Sequence, residues 1–197
     1  MVRLTVVFVD VRGFSALSEK TEPAIIVEKL NRFYRLAAQS VFTLDGTLDK
    51  MVDDGVIAFF GAPFQPEGHA TRAVQSALEI VSGTQPCPEN IEGLPAGDGV
   101  ATGEVFMGNV GEGEGEVRDF TVIGDTVNTA ARLQSLSGPG DVLISDETFR
   151  AVSADVGKTE SRTLELKGKE EPVLAHGLKV AGNPLLSGSK SKFLSLR

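Results

Sequence analysis

The 197-residue sequence predicts an α+β fold: a ferredoxin-like βαββαβ core with further αβ elements appended. Two observations lead there. Through about residue 107, apolar β-branched runs alternate with helical-period segments in the order strand, helix, strand, strand, helix, strand. The composition, 41% hydrophobic with eleven Phe and no Trp, suits one globular core, and the length suits one generous domain rather than two.

Residues 5–9 form a continuous apolar, β-branched run, the pattern of a central strand buried on both faces. The run ends in a polar loop, Asp10-Val11-Arg12-Gly13-Phe14-Ser15. Pro23 suits the first turn of a helix reaching about residue 43, in which Ile26, Leu30, Phe33, Ala37 and Val41 recur at helical spacing. After the Asp45-Gly46 turn, strands over 47–51 and 56–60 are joined by Val52-Asp53-Asp54-Gly55 as a hairpin. Gly61-Ala62-Pro63 breaks the chain before a helix over 67–81, and 82–98 reads as a surface loop. Strands are expected over 99–102 and 104–107, followed by a flexible hairpin tip at 111–116. The glycines of that tip lack the strand-before, helix-after setting of a dinucleotide fingerprint. A strand over 120–123 leads to a helix capped by Asp125 and running to about 135, stopped by Gly138-Pro139-Gly140. A strand over 142–144, a short helix over 146–152 and strands near 163–166 and 173–178 complete the domain, expected over 1–180. From Ala181 to 197, Gly, Ser and Lys predict a flexible tail.

The composition excludes several classes of function. A net charge of −8 disfavours nucleic-acid binding, which neutralises phosphates with Lys and Arg. A single cysteine, Cys87, leaves no internal disulfide, and with only His69 and His176 a zinc site is not expected. No apolar run reaches the roughly 18 to 20 residues of a membrane span, and the N-terminus does not read as a signal peptide. The expectation is a cytoplasmic domain with no membrane span. The immediate entry into a strand suggests that it is cut from something longer.

Candidate chemistry lies at strand ends. Asp10 closes the first strand and Asp54 sits in the hairpin between the next two, strands that this topology can make neighbours. Two converging carboxylates, with a backbone carbonyl such as that of Val11, suit Mg²⁺, a hard cation that keeps water and phosphate oxygens as its other ligands. The residues equally allow Asp54-Gly55 to be a plain turn pair and Asp10 a residue on the approach to a helix. The loop after Asp10, through Gly13 and Phe14, offers backbone N–H groups as an anion cradle. Arg12 reads as solvated and receives no role. Lys50 ends an otherwise apolar strand, where it can snorkel or pair with Asp49. Asn128 and Arg132 are four apart on one helix face, as a surface pair or as two donors aimed at a phosphate.

Together the segments Val7-Phe8-Val9-Asp10-Val11-Arg12-Gly13-Phe14-Ser15, residues 49–61, residues 120–133 and Leu166-Lys167-Gly168-Lys169 resemble the catalytic domain of class III nucleotidyl cyclases. The resemblance covers about residues 5–178. It implies the class III cyclase fold, and Asp10, Val11 and Asp54 as the site of two Mg²⁺ (or Mn²⁺). Lys50 and Thr121 become the base-reading residues, Asn128 and Arg132 the catalytic pair, and Lys167, with Gly13 and Phe14, contacts to phosphates. Lys50 with Thr121 is similar to the subgroup that includes bicarbonate-responsive soluble-type adenylyl cyclases.

The activity so implied is conversion of ATP to 3′,5′-cyclic AMP and pyrophosphate at the interface of a head-to-tail homodimer. Asp10 and Asp54 of one chain would meet Lys50, Thr121, Asn128 and Arg132 of the other, and fused regulatory domains are expected. Asp53 stands where most of the family has Gly. A left-handed turn residue is expected there, which Asp tolerates better than most, with reduced activity as the consequence. The alternatives are a catalytically weak or silent cyclase-homology module that dimerises and regulates, and a guanylyl cyclase. A diguanylate cyclase is disfavoured because Val52-Asp53-Asp54-Gly55 is not a GG(D/E)EF-type hairpin.

Overall fold

A computed structural model describes residues 1–63, 67–86, 93–110, 119–165 and 172–186, and of residues 109, 110, 119 and 120 the backbone alone. In chain order the elements are β1 (Val2–Val11), α1 (Phe14–Ser18), α2 (Pro23–Thr43), β2 (Thr47–Val52), β3 (Gly55–Phe60), α3 (His69–Thr84), β4 (Ala96–Val110), β5 (Asp119–Ile123), α4 (Asp125–Leu136), β6 (Val142–Ser145), α5 (Asp146–Val152), β7 (Glu160–Leu164) and β8 (Val173–Leu178). A 3₁₀ turn, Pro184–Leu186, follows.

The strands form an eight-stranded sheet in the order β2-β3-β1-β4-β6-β8-β7, with β5 paired to β4. Its first four strands are antiparallel neighbours, as the ferredoxin-like reading requires, and β4 then runs parallel to β6. β1 lies between β3 and β4, so both of its edges are paired, and a cluster packs on each of its faces. Val7, Val9 and Val11 join the main core with α2, α3 and α5, while Leu4 and Val6 join a second cluster with Val105, Val122 and Ala130 of α4. This explains why β1 shows no polar alternation.

Several local expectations need correction. The loop expected after Asp10 is shorter: β1 runs to Val11 and Phe14–Ser18 is a helix turn, too short for a periodic signal. The strands expected over 99–102 and 104–107 are one strand, since Gly103 interrupts the apolar pattern without breaking the ladder. The loop expected over 82–98 is narrower, with α3 reaching Thr84 and β4 starting at Ala96. Gly124, not Asp125, is the N-cap of α4, and Asp125 is its first residue. The strand near 163–166 lies at Glu160–Leu164. Part of the expected tail is packed: Asn183 is buried, donates to the Val156 and Lys179 carbonyls at 3.3 and 3.4 Å, and brings Leu185 and Leu186 onto the main core. The hairpin tip at 111–116, Cys87 and residues 187–197 lie outside the described residues. Among the described residues no helix is long and apolar enough to cross a membrane.

Candidate active site

Asp10 and Asp54 are brought together by pairing. Asp10 lies opposite Gly55, and the Val11 N–H donates to the Asp54 carbonyl at 3.1 Å, which pins the hairpin to the end of β1. A Cβ on Gly55 would stand 3.2 Å from the Val9 carbonyl, a tight approach that glycine avoids. Asp53, with φ of 50°, takes the left-handed turn position expected of it, and the Tyr34 hydroxyl of α2 donates to its carbonyl.

The Asp54 carboxyl is pushed above the usual carboxylate range, first by burial and then by the charge of Asp10. Two adjacent carboxylates, with hard oxygen donors around them, fit a divalent cation. Among the described residues no group of three or more His, Cys, Asp or Glu side chains could hold a metal, so exposed Asp53 does not add a third carboxylate. Asp10, Asp54 and the Val11 carbonyl would leave the remaining ligand positions to water and substrate oxygens.

One oxygen of Asp10 is already held. Oδ2 accepts from Arg12 Nη1 at 3.2 Å and from Gln134 Nε2 at 2.9 Å. Arg12 Nη2 donates in turn to the Gln134 carbonyl and to Ser137 Oγ at 2.8 Å. Gln134, Ser137 and Tyr34 escaped the sequence reading, and Arg12, expected to be solvated, is instead packed between Asp10 and the end of α4. Their partners lie far along the chain, although residues 10 and 12 share a strand-like period of two that could have flagged Arg12.

The seat of α4 is a stripe of small residues. Gly97, Gly99, Ala101 and Gly103 alternate along β4 and so share one face. A Cβ at Gly99 would overlap the Ala130 carbonyl and the Gln134 nitrogen, one at Gly103 the Thr126 hydroxyl, and one at Gly97 would stand 2.6 Å from Arg12 Nε. The helix therefore lies almost on the strand backbone. Thr126, Thr129, Ala130 and Leu133 are buried beneath it, while Asn128 is exposed and Arg132 half-buried. At 3.6 residues per turn, Arg132 projects about 160° around α4 from Gln134, the residue that touches Asp10. Neither Asn128 nor Arg132 makes a side-chain hydrogen bond or ion pair with a described residue.

Lys50 reaches its face through a bulge. Leu48 pairs with Ala58, but the register then slips so that Lys50 pairs with Ile57 and Met51 with Val56. Without the slip Lys50 would stand opposite Val56, over the main core; the extra residue turns it to the face that carries Asp10 and α4. Thr121 lies on β5 opposite Gly108, and alternates with buried Val122. Gly13, left-handed at φ of 72°, starts α1, and the ring of Phe14 packs on the main core. The structure thus joins Asp10 with Asp54 and keeps Asn128 with Arg132, but turns the second pair away from the first. Lys167 lies outside the described residues.

Comparison with known proteins identifies the domain. The family profile for the adenylate and guanylate cyclase catalytic domain matches residues 2–179. Over 186 residues the chain is 30% identical to an adenylate cyclase of Anabaena cylindrica, covering 90% of this chain and 37% of that protein. Over 174 residues it is 34% identical to a Mycobacterium tuberculosis protein, covering 85% and 31%. The chain spans about a third of the length of these curated relatives. The adenylyl cyclase CyaB from P. aeruginosa superposes with a TM-score of 0.82 at 31% identity, over 90% of this chain and 93% of that one. The guanylyl cyclase Cya2 superposes with a TM-score of 0.82 at 30% identity, over 89% and 91%. The fold is thus that of a shared domain, and the chain belongs to the adenylate and guanylate cyclase catalytic domain family.

Proposed function

We propose that the chain is an adenylyl cyclase domain that converts ATP to 3′,5′-cyclic AMP and pyrophosphate, at sites completed head to tail by two copies of the chain. The observation that carries the reading is the division of one chain into two half-sites: Asp10 with Asp54 on one side, and Asn128 with Arg132 turned away on the outer side of α4. A second copy resolves the division by presenting its α4 to the first copy's carboxylates.

In this site Asp10, the Val11 carbonyl and Asp54 would hold two Mg²⁺ or Mn²⁺. Divalent ions bound there would lower the pKa of the ribose 3′-hydroxyl and neutralise the departing pyrophosphate. The 3′-oxygen attacks the α-phosphorus, the bond from that phosphorus to the bridging oxygen breaks, and the hydroxyl proton passes to water. Asn128 orients the ribose, and Arg132 faces the charge that grows on the α-phosphoryl oxygens. Lys167 and the backbone at Gly13 and Phe14 contact the phosphates.

Lys50 and Thr121 read the adenine edge through hydrogen bonds that guanine would leave unpaired. Overall shape does not separate the two substrates, since the adenylyl and guanylyl cyclase structures superpose equally well. The silent-module alternative rested on Asp53, and the hairpin accommodates that residue at its left-handed position. The domain is read as cytoplasmic and as one part of a longer regulated protein.

The test is cyclic nucleotide formation by the purified chain from ATP and from GTP, with Mg²⁺ or Mn²⁺, over a range of protein concentrations. Cyclic AMP whose specific rate rises with concentration is expected. A preference for GTP would sink the substrate assignment, and a dimer that makes no product with either metal would point to the regulatory module.

A further inference from the structure

The donors to Asp10 all converge on one of its two oxygens. Oδ2 receives Arg12 Nη1 and Gln134 Nε2, at 3.2 and 2.9 Å. Oδ1 instead faces the hairpin, 3.8 Å from where a Cβ on Gly55 would stand. Arg12 is itself tightly placed. Its side chain is 18% exposed, it lies over Gly97 where a Cβ would meet Nε at 2.6 Å, and its backbone N–H donates to the Pro95 carbonyl at 2.8 Å. Its second guanidinium nitrogen binds the Gln134 carbonyl and Ser137 Oγ at the C-terminal end of α4, where a cation also suits the helix dipole.

We infer that Arg12 and Gln134 are positioning residues for the cyclase reaction, a clamp that sorts the two oxygens of Asp10 and turns Oδ1 toward Asp54 to receive the metal. The inference rests on the proposed metal site at Asp10 and Asp54. The planar fork of Arg12 reaches Asp10 and α4 simultaneously, which an ammonium on a flexible stem does not reproduce. Gln134 supplies the second donor from the inner side of α4, so the carboxylate is braced from two directions. A carboxylate held this way loses less freedom when a cation binds, the usual contribution of groups that orient a metal ligand.

The experiment counts Mn²⁺ bound to the purified chain by loss of the free-ion EPR signal, in the presence of α,β-methylene ATP, which cannot release pyrophosphate. Wild type, Gln134→Met, Arg12→Met, Arg12→Lys, Ser137→Ala and Asp10→Asn are compared, and each chain's unfolding midpoint without metal is recorded. Gln134→Met and Arg12→Met are expected to weaken Mn²⁺ binding about 10- to 100-fold. Arg12→Lys should fall between Arg12→Met and wild type, Ser137→Ala should change little, and Asp10→Asn should abolish the Asp10-dependent fraction. Lower unfolding midpoints with unchanged Mn²⁺ affinity in Gln134→Met and Arg12→Met would reduce the clamp to a structural brace and overturn the inference. Tighter Mn²⁺ binding in Arg12→Met would overturn it differently, by making Arg12 a cation that competes for the site. If wild type binds no more Mn²⁺ than Asp10→Asn, the metal site itself is wrong and the inference falls with it.

Discussion

At the corner where β1 meets the β2–β3 hairpin, functional groups are held from within the chain. Arg12 and Gln134 hold Asp10, the Val11 N–H holds Asp54, and Tyr34 holds the turn at Asp53. On the outer side of α4, Asn128 and Arg132 have no partner among the described residues. Carboxylates crowded together repel and drift unless braced, so that corner is built in advance of any ligand. Donors that must reach another molecule need a firm helix under them and open space above. The contrast teaches that one chain can brace one set of groups internally and still leave another set facing outward, as the proposed shared site requires.

The sharpest way to break this contrast is complementation. Asp54→Ala and Arg132→Ala should each lose at least about 10²-fold in cyclase rate, since the first removes a proposed metal ligand and the second a donor to the charge growing on the α-phosphoryl oxygens. Mixed in equal amounts, the two inactive chains should recover about a quarter of wild-type activity, because half the dimers are mixed and each has one intact site. No recovery would show that each chain carries complete sites.

Gly99→Ala tests whether the firm helix matters. Its Cβ would meet backbone atoms of α4 rather than a side chain that can swing aside, and a loss of about 3 kcal/mol in urea unfolding is expected. An unchanged midpoint would mean that α4 is free to lift.

Asp98 extends the comparison into the core. It is fully buried, both its oxygens lack a hydrogen-bond partner among the described residues, and burial pushes its carboxyl well above the usual range, opposed by the charge of Arg12. A raised folded pKa means that the folded state holds the proton. Its stabilising contribution is present below the unfolded value of about 3.9 and is lost as pH rises through the folded value. Asp98→Val, between Val9 and Val142, should therefore stabilise the chain by about 2 kcal/mol at neutral pH. The gap from wild type should widen as pH rises, and parallel stability curves would count against a neutral Asp98.

The smallest effect is expected from Tyr34→Phe, which removes the hydroxyl that holds the Asp53 carbonyl. It should cost about 1 kcal/mol in unfolding while leaving the hairpin in place.

Much of this arrangement is legible in the sequence because it is local. The apolar run of β1, the helical spacing in α2 and the turn residues at 52–55 each declare an element, and Asp10 and Asp54 stand where those elements end. What escapes is set by packing. The bulge that turns Lys50 to the α4 face adds one residue to a strand without any glycine or proline to mark it. Arg12 looks like a solvated loop arginine until α4, more than a hundred residues later, closes over it. The division between Asp10 and Arg132 depends on which side of α4 rests on β4, and a pair four residues apart reveals only that it shares a side.

The glycine seat under α4 has a consequence for how the domain can drift over evolutionary time. Most buried positions have both larger and smaller neighbours in sequence space, so a core can change by compensated exchange. Gly97, Gly99 and Gly103 have no smaller neighbour, and any replacement adds atoms against Arg12, the backbone of α4 or Thr126. The height of α4 is thereby removed from neutral variation, while its exposed side, bearing Asn128, stays free to change.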